Sequence, residues 1–171
     1  MSNPIGGIRK SFNRVGKNKQ KNKIMTTENS TRSEARQILF HGGLMTLLSL
    51  LSGFTIYFAL APRLALGAHS VGLLQGAILI AIAGSWHLLN APPKTLKILK
   101  ITLLVGFYAN WISTQLSALW SAGKDTYPLT GKDMPAGAVP WQDMTVTVLG
   151  VLSVLILVSA VIIIMAARKK E

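Results

Sequence analysis

The sequence predicts an all-α membrane protein, a four-transmembrane-helix bundle with a disordered basic N-terminal tail. Half of the 171 residues are hydrophobic and only 14% are charged, which is too little charge to cover the surface of a soluble domain of this size. The apolar residues form four long runs, each near the roughly 20 residues that a helix needs to cross a bilayer. The basic residues gather at the ends of these runs. Together these three observations favour insertion into a membrane.

Residues 1–34 form the polar, basic tail. Nine of the 18 Lys and Arg residues precede the first apolar run, and no sustained apolar period accompanies them. This composition predicts a disordered cytoplasmic tail, which we interpret as a segment that sets the topology. A cleaved signal peptide does not fit, because the charged part is too long and the following apolar run exceeds the length of a signal sequence.

Residues 35–171 form the predicted transmembrane domain. Pro62 lies between the first two apolar runs, Pro92 and Pro93 follow the second, and a proline-containing loop over 123–143 precedes the fourth. Proline cannot continue a helix, so these positions separate the spans. The predicted helices are 38–60, 66–89, 98–120 and 144–167.

The distribution of basic residues predicts the orientation. The tail, the second connection and the C-terminal segment carry nine, three and three basic residues, whereas the first connection has only Arg63. Because Lys and Arg are retained on the cytoplasmic side, both termini are predicted to be cytoplasmic, in the inner membrane if the protein is bacterial. The same distribution accounts for the net charge of +12 and argues against a nucleic-acid partner. Membrane lipid is the expected surrounding.

Few reactive groups remain for chemistry. The chain has no cysteine, no hydrolase, kinase or dinucleotide motif, and no charged residue in the middle of a span, which disfavours thiol chemistry and ion-coupled transport. The fourth span is almost wholly apolar and is expected to face lipid. The third span carries one polar helical face, at Gly106, Asn110, Ser113, Thr114, Ser117 and Ser121. Its hydroxyls suit interhelical contacts, whereas the Asn110 amide is a site candidate.

The second span combines small residues with a histidine. Ala68, Gly72 and Gly76 repeat every four residues, a pattern that admits another helix or a flat ligand against the backbone. His69 lies on nearly the same face and is either a metal ligand or an imidazole that bonds headgroups or water.

The first span has a matching face of small and hydroxyl residues, at Gly42, Thr46, Ser49 and Gly53. His41 and His87 are expected near the cytoplasmic ends of their spans, where they could be neighbours. His69 is expected on the other side of the membrane, so the three histidines cannot share one metal within a subunit.

Three short segments resemble hydroxylaminobenzene mutases over about residues 38–168. They are Pro62-Arg63-Leu64-Ala65-Leu66-Gly67-Ala68-His69 with Gly72 and Gly76, Tyr108-Ala109-Asn110-Trp111, and Leu119-Trp120-Ser121-Ala122-Gly123. That family is similar to styrene oxide isomerase, a four-helix membrane enzyme that forms trimers and holds a ferric b-type haem between subunits. The resemblance implies a haem b whose iron is bound by His69, with Gly72 and Gly76 also at the cofactor.

The resemblance also implies a reaction and its residues. Gln75 stands where the isomerases have Asn, and Asn110 matches their third-helix Asn, so these two amides would orient the substrate oxygen, with Tyr108 as a candidate donor. The acidic residue of the isomerases falls at Gly106 and their tyrosine at Thr114, which counts against epoxide isomerisation. The implied function is therefore an isomerase or mutase that rearranges a small aromatic substrate, an aryl hydroxylamine, into an aminophenol. The alternatives are a non-catalytic haem-binding membrane subunit and a cofactor-free packing protein.

Overall fold

The protein is helical throughout the part that the structure describes. The structure is a computed structural model that describes residues 5–127, 134–135 and 138–168, with side chains described for Met25, Asn29 and from Thr31 onward. The helices are α1 (Ile5–Ser52), α2 (Pro62–Ser85), α3 (Pro93–Trp120), α4 (Pro140–Leu152) and α5 (Leu155–Ala167). Short 3-10 turns at Gly53–Tyr57 and Trp86–Leu88 extend α1 and α2.

The four predicted spans are confirmed. Four helical stretches are long and apolar enough to cross a membrane, at Thr31–Tyr57, Pro62–Leu88, Pro93–Trp120 and Pro140–Ala167. The fourth comprises α4 and α5, which a turn at residues 153–154 separates. The protein is thus a multi-pass membrane protein with an all-helical fold.

Three helices begin earlier than the sequence predicts. They start at Pro62, Pro93 and Pro140, each of which was interpreted as part of a connection. Proline suits the first position of a helix, because its missing N–H would have no helical partner there and its fixed φ is already helical. The same residue type therefore both ends one segment and begins the next.

The first helix also begins earlier, at Ile5 instead of near residue 38. It extends through most of the segment for which the composition predicts disorder, and no proline interrupts residues 5–61. Lys, Arg and Gln are favourable helix formers, whereas a helix without packing is marginal in water. Met25 and Asn29 are exposed, so at these positions the helix has only local propensity to hold it. Disorder of the tail in water stays a prediction.

The core lies between α1, α2 and α3. A cluster of large apolar side chains fills one half of it: Ile38, Met45, Leu79, Ala83, Trp86, Leu99, Leu103 and Phe107. A smaller cluster closes the other end, at Ala59, Leu64, Ala65, Ala118 and Met134. The fourth span is the most exposed, as expected, with 6% of its apolar stretch buried against 28–33% for the other three.

The bundle has two chemically different ends. At one end, which we call the basic end, Lys100 Nζ lies 2.7 Å from Glu34 Oε2, and the Asn90 amide donates to the Ala166 carbonyl at 2.9 Å. At the other, the loop end, the Ala61 amide donates to the Ala118 carbonyl at 3.0 Å. The start of the first span, the α2–α3 connection and the end of α5 therefore share one face. Its cytoplasmic location stays a prediction, and Lys169 and Lys170 lie outside the described residues.

Candidate functional site

The small residues of α1 and α2 face each other along their whole contact. A Cβ placed on Gly76 would lie 2.9 Å from Thr46 N and 3.0 Å from Gly42 O, both backbone atoms. One placed on Gly72 would lie 2.6 Å from Ser49 Oγ, with the Trp111 indole equally close on the α3 side. Of the two occupants that the small-residue pattern allows, the structure therefore shows a helix.

This packing changes how Gly72 and Gly76 could serve a cofactor. Both glycines are buried, and α1 covers them. Direct contact with a cofactor stays a prediction for both. Their observed contribution is to let α1 approach α2 closely enough to reach His69, which lies one helical turn beyond Gly72 toward the loop end.

His69 has a defined orientation. Its Nδ1 lies 2.8 Å from the Ser49 carbonyl oxygen, and the Ser49 hydroxyl donates to the carbonyl of His69 in return. A carbonyl oxygen can only accept, so Nδ1 carries the proton, and the neutral ring then has an unprotonated Nε2. That nitrogen has no hydrogen-bond partner among the described residues.

Gly53 and the Ser49 carbonyl together form the surface against which this imidazole lies, which we call its seat. A Cβ at Gly53 would lie 3.1 Å from His69 Nδ1 and 3.3 Å from Cε1. The ring is therefore held between a carbonyl that binds one nitrogen and a backbone that has no side chain. The arrangement leaves the other nitrogen as a lone-pair donor, which is the form that binds metals.

The donor set of this site is a single histidine. The described residues contain no group of three His, Cys, Asp or Glu side chains able to hold a metal ion. A structural or catalytic zinc site needs three or four protein ligands, whereas a haem iron needs only an axial one. His69, half-buried and oriented through Nδ1, fits the second requirement.

No described hydrogen bond joins the three residues predicted to orient or protonate the substrate. Gln75 is buried in α2 with an unpaired Oε1. Asn110 is half-buried in α3, and its side chain has no partner among the described residues. The Tyr108 hydroxyl lies 3.2 Å from His41 Nδ1. Residues two apart on a helix point about 200° apart, so Tyr108 and Asn110 face opposite sides of α3.

The other two histidines, His41 and His87, have different surroundings. His41 contacts Tyr108 within the bundle, whereas His87 is exposed in the turn after α2. No described hydrogen bond or ring contact joins them, so the expectation that they are neighbours has no support in the contacts.

The polar face of α3 contacts both the fourth span and the loop that precedes it. Ser113 Oγ donates to the Val146 carbonyl at 2.9 Å, and a Cβ on Gly106 would lie 2.9 Å from the backbone nitrogen of Ile156. Thr114 donates to the carbonyl of Asn110, one turn back, at 2.9 Å. Ser117 and Ser121 donate to the carbonyls of Ala122 and Pro135 in the following loop. Of the hydroxyls on this face, Ser113 is therefore the one that bonds another span, and the Asn110 amide has no described partner.

A hydrogen-bonded network around His69 was missed by the sequence reasoning. The Ser49 carbonyl also accepts from Ser52 Oγ at 2.7 Å, and the Ser52 carbonyl accepts from Thr55 Oγ1 at 2.6 Å. Gln115 Nε2 of α3 donates to Thr55 Oγ1 at 2.8 Å. Gln115 lies five residues before the end of α3, so an amide within an apolar run was the sequence signal that could have indicated it, whereas its role depends on the contact with Thr55.

Two clefts of about 370 Å³ each lie at the loop end. One is lined by Leu60, Ala61, Pro62, Arg63, Leu64, Met134 and Pro135. The other is lined by Ser121, Gly123, Lys124, Asp125, Ala138, Asp143 and Thr147. Neither cleft is lined by His69, Gln75 or Asn110, so the predicted site residues lie outside both.

Comparison with known proteins identifies the family. The model of the styrene oxide isomerase family matches residues 34–168, which is most of the chain and all four spans. The chain belongs to the styrene oxide isomerase family. No solved structure matches it.

Two curated relatives of this family member come from Ectopseudomonas oleovorans. Hydroxylaminobenzene mutase HabB is 35% identical over 95 residues, covering 56% of this chain and 58% of HabB. Hydroxylaminobenzene mutase HabA is 32% identical over 112 residues, covering 65% of this chain and 82% of HabA. The match to HabB thus spans little more than half of that protein.

Proposed function

We propose that this protein is a membrane isomerase of the mutase type, which converts an aryl hydroxylamine into an aminophenol. The family assignment and the names of the two relatives support a rearrangement of this kind. In this reaction the N–O bond breaks, a C–O bond forms on the ring, and the proton displaced from that carbon is balanced by one gained at nitrogen. No external oxidant or reductant is required.

The observation that carries the proposal is the orientation of His69. With Nδ1 bound to the Ser49 carbonyl, Nε2 is available to hold the iron of a b-type haem. When bound, such a haem supplies a Lewis acid for the substrate oxygen. The role of the chain is to hold that group in a medium from which lipid and packed helices exclude bulk water.

Two amides are proposed to orient the substrate. Gln75 has a buried, unpaired oxygen, and Asn110 has a free amide on the half-buried face of α3. Both can hold an N–H or O–H group while charge develops on the departing oxygen. Tyr108 is a candidate donor only together with His41, because its hydroxyl faces that ring and not Asn110.

Two positions favour the mutase over an epoxide isomerase. At Gly106 the backbone packs against Ile156, so a carboxylate is missing where the resemblance places one. At Thr114 the hydroxyl donates to the Asn110 carbonyl, one turn earlier in α3. Neither position supplies the acid or the phenol that the isomerases carry there.

The site is proposed to be completed by a second copy of the chain, in a homo-oligomer such as a trimer. His69 is half-buried on the flank of α2, and its free nitrogen has no described neighbour in the protomer. A haem held by His69 would need further cover from lipid, and a neighbouring subunit would supply it.

The direct test is turnover by the full-length protein, purified in detergent from haem-supplied cells. Hydroxylaminobenzene and styrene oxide are offered separately, without reductant, and products are identified by chromatography and mass spectrometry. We expect aminophenol from the first and no aldehyde from the second. In water enriched in oxygen-18, the aminophenol should keep the oxygen of the substrate.

Variants of histidine separate this function from the alternatives. His69→Ala should abolish turnover, whereas His87→Ala, which changes an exposed histidine, should not. A haem protein with a reversible redox couple but no turnover would show a non-catalytic subunit. A colourless, inactive protein whose His69→Ala variant is unchanged would show a packing protein without cofactor.

A further inference from the structure

Three polar side-chain atoms between α1, α2 and α3 are buried without a hydrogen-bond partner. They are Gln75 Oε1, Trp111 Nε1 and Gln115 Oε1. Gln75 is 5% exposed and Gln115 9%. Burying such an atom unpaired destabilises the protein, and the interior of a bilayer offers no water to relieve it. A fourth unpaired atom, Trp86 Nε1, differs because it lies in the turn at the basic end.

The orientation of the Gln115 amide follows from its neighbours. The Thr55 hydroxyl uses its proton on the Ser52 carbonyl at 2.6 Å, so its oxygen must accept from Gln115. The atom that lies 2.8 Å from Thr55 Oγ1 is therefore the amide nitrogen. The unpaired atom is then the amide oxygen, which can only accept a hydrogen bond.

Gln115 lies beside the seat of His69. Gln115 contacts Thr55, and His69 contacts Ser49 and Gly53, so both side chains lie against one short stretch of the chain, residues 49–55. Trp111 lies one turn before Gln115 on α3, and its indole Nε1 would be 2.7 Å from a Cβ on Gly72. The unpaired acceptor therefore belongs to a side chain that contacts the segment against which His69 lies, and the unpaired donor lies against Gly72, one turn from His69 on α2.

The chemistry of these atoms selects among substrates. An unpaired acceptor oxygen needs a ligand that carries N–H or O–H. An aryl hydroxylamine carries one of each, whereas an epoxide carries none. A ligand that cannot pair with a buried polar group of the site binds weakly, because the free-energy cost of leaving that group unpaired is not relieved.

We propose that Gln115 is a specificity-determining residue, whose Oε1 accepts a hydrogen bond from the N–H or O–H of the substrate. Trp111 Nε1 donates to the hydroxylamine oxygen beside it. This assignment rests on the proposed function for the identity of the substrate, but the preference for hydrogen-bond donors rests on the geometry alone. Ordered water is the other source of an O–H group at this position.

The test measures binding and turnover on the same full-length protein. Dissociation constants are measured by calorimetry for hydroxylaminobenzene and for its N,O-dimethyl derivative, which has the same ring and no hydrogen-bond donor. The wild type should bind the donor-bearing compound about tenfold more tightly. Gln115→Leu should reduce this ratio to near one by weakening only the donor-bearing compound. Gln115→Asn, one methylene shorter, should retain part of the ratio.

Matched variants keep the outcome interpretable. Leu116→Ala, beside Gln115 on α3, should leave the ratio unchanged, and Thr55→Val should lower it because the amide loses its anchor. If Gln115→Leu weakens both compounds equally, or changes only thermal stability, the unpaired oxygen binds water and the inference is wrong. If donor preference is found without turnover, the inference stands and the proposed mutase function fails.

Discussion

The two halves of the helix core differ in chemistry. Toward the basic end, α1, α2 and α3 meet through large apolar side chains, including Met45, Leu79, Leu103 and Phe107. Toward the loop end the same helices meet through Ser49, Ser52, Thr55, His69 and Gln115, joined by hydrogen bonds.

The two halves therefore contribute differently, the basic half mainly to stability and the loop half to binding and reactivity. The basic half is packed mainly from apolar side chains and chiefly stabilises the fold, although Trp86 Nε1 is buried there without a hydrogen-bond partner. The loop half leaves Gln115 Oε1 and Trp111 Nε1 unpaired and His69 Nε2 open. Groups of that kind are costly for stability and useful for binding.

The largest effect is expected where both halves depend on one close contact. Gly76→Val should lower the free energy of unfolding by about 3 kcal/mol, because the added carbons meet backbone atoms of Thr46 and Gly42. Denaturant unfolding in detergent micelles would measure this. Gly84→Val is the matched control, since a Cβ at Gly84 meets nothing within 4 Å. Equal stability of the two variants would contradict the close packing of α1 on α2.

A cavity in the basic half should weaken the fold without altering the site. Phe107→Ala is expected to cost about 2 kcal/mol, through packing lost among Leu79, Leu103 and their neighbours. Val105→Ala, on the exposed side of the same helix, is the control. Ligand discrimination, measured by calorimetry, should be unchanged in both. A change of discrimination in Phe107→Ala would break the separation of the two halves.

A small addition in the loop half should alter the site with little loss of stability. Gly53→Ala adds a methyl group 3.1 Å from His69 Nδ1, so the ring must shift by a few tenths of an ångström and its hydrogen bond to the Ser49 carbonyl should weaken, at a cost of about 1 kcal/mol. Nitrogen-15 NMR of the haem-free protein should show a smaller share of the Nδ1-protonated form. Gly67→Ala is the control, and Ser49→Ala should keep that form because it keeps the carbonyl. An unchanged ring in Gly53→Ala would refute the described seat.

The smallest effect is expected at the ion pair of the basic end. Glu34→Gln removes the partner of Lys100, which also donates to Gln37 Oε1 at 2.9 Å. The two side chains are 15% and 24% exposed, and Gln keeps an oxygen that can accept from Lys100, so the loss of charge should cost about 0.5 kcal/mol and less at high salt. Thermal unfolding at two salt concentrations would measure this. A loss above about 2 kcal/mol would show that the basic end is fixed by charge as well as by packing.

Much of the fold could be predicted from the sequence because each span is a local property. An apolar run of sufficient length indicates a membrane helix wherever it occurs, and all four runs are helical. The helix starts were less predictable, because Pro62, Pro93 and Pro140 are compatible with both a turn and a first helical residue. The small-residue faces of α1 and α2 were visible, but not that they face each other.

Less of the site could be predicted, because it depends on which faces meet. Tyr108 and Asn110 are adjacent in one motif, yet helical geometry points them to opposite sides. His69 was identified by its chemistry, whereas the carbonyl that orients it belongs to Ser49, twenty positions earlier. Gln115 required knowledge of Thr55, since only that contact shows which amide atom is free.

The central claim is that His69 presents a free Nε2 able to hold a haem iron. The most direct test is titration of the haem-free, detergent-purified protein with haem, followed by the visible absorption spectrum, for the wild type, His69→Ala and His87→Ala. We expect saturable binding with a Soret shift in the wild type and in His87→Ala, and its loss in His69→Ala. An identical titration in His69→Ala, or no saturable binding in the wild type, would contradict the claim.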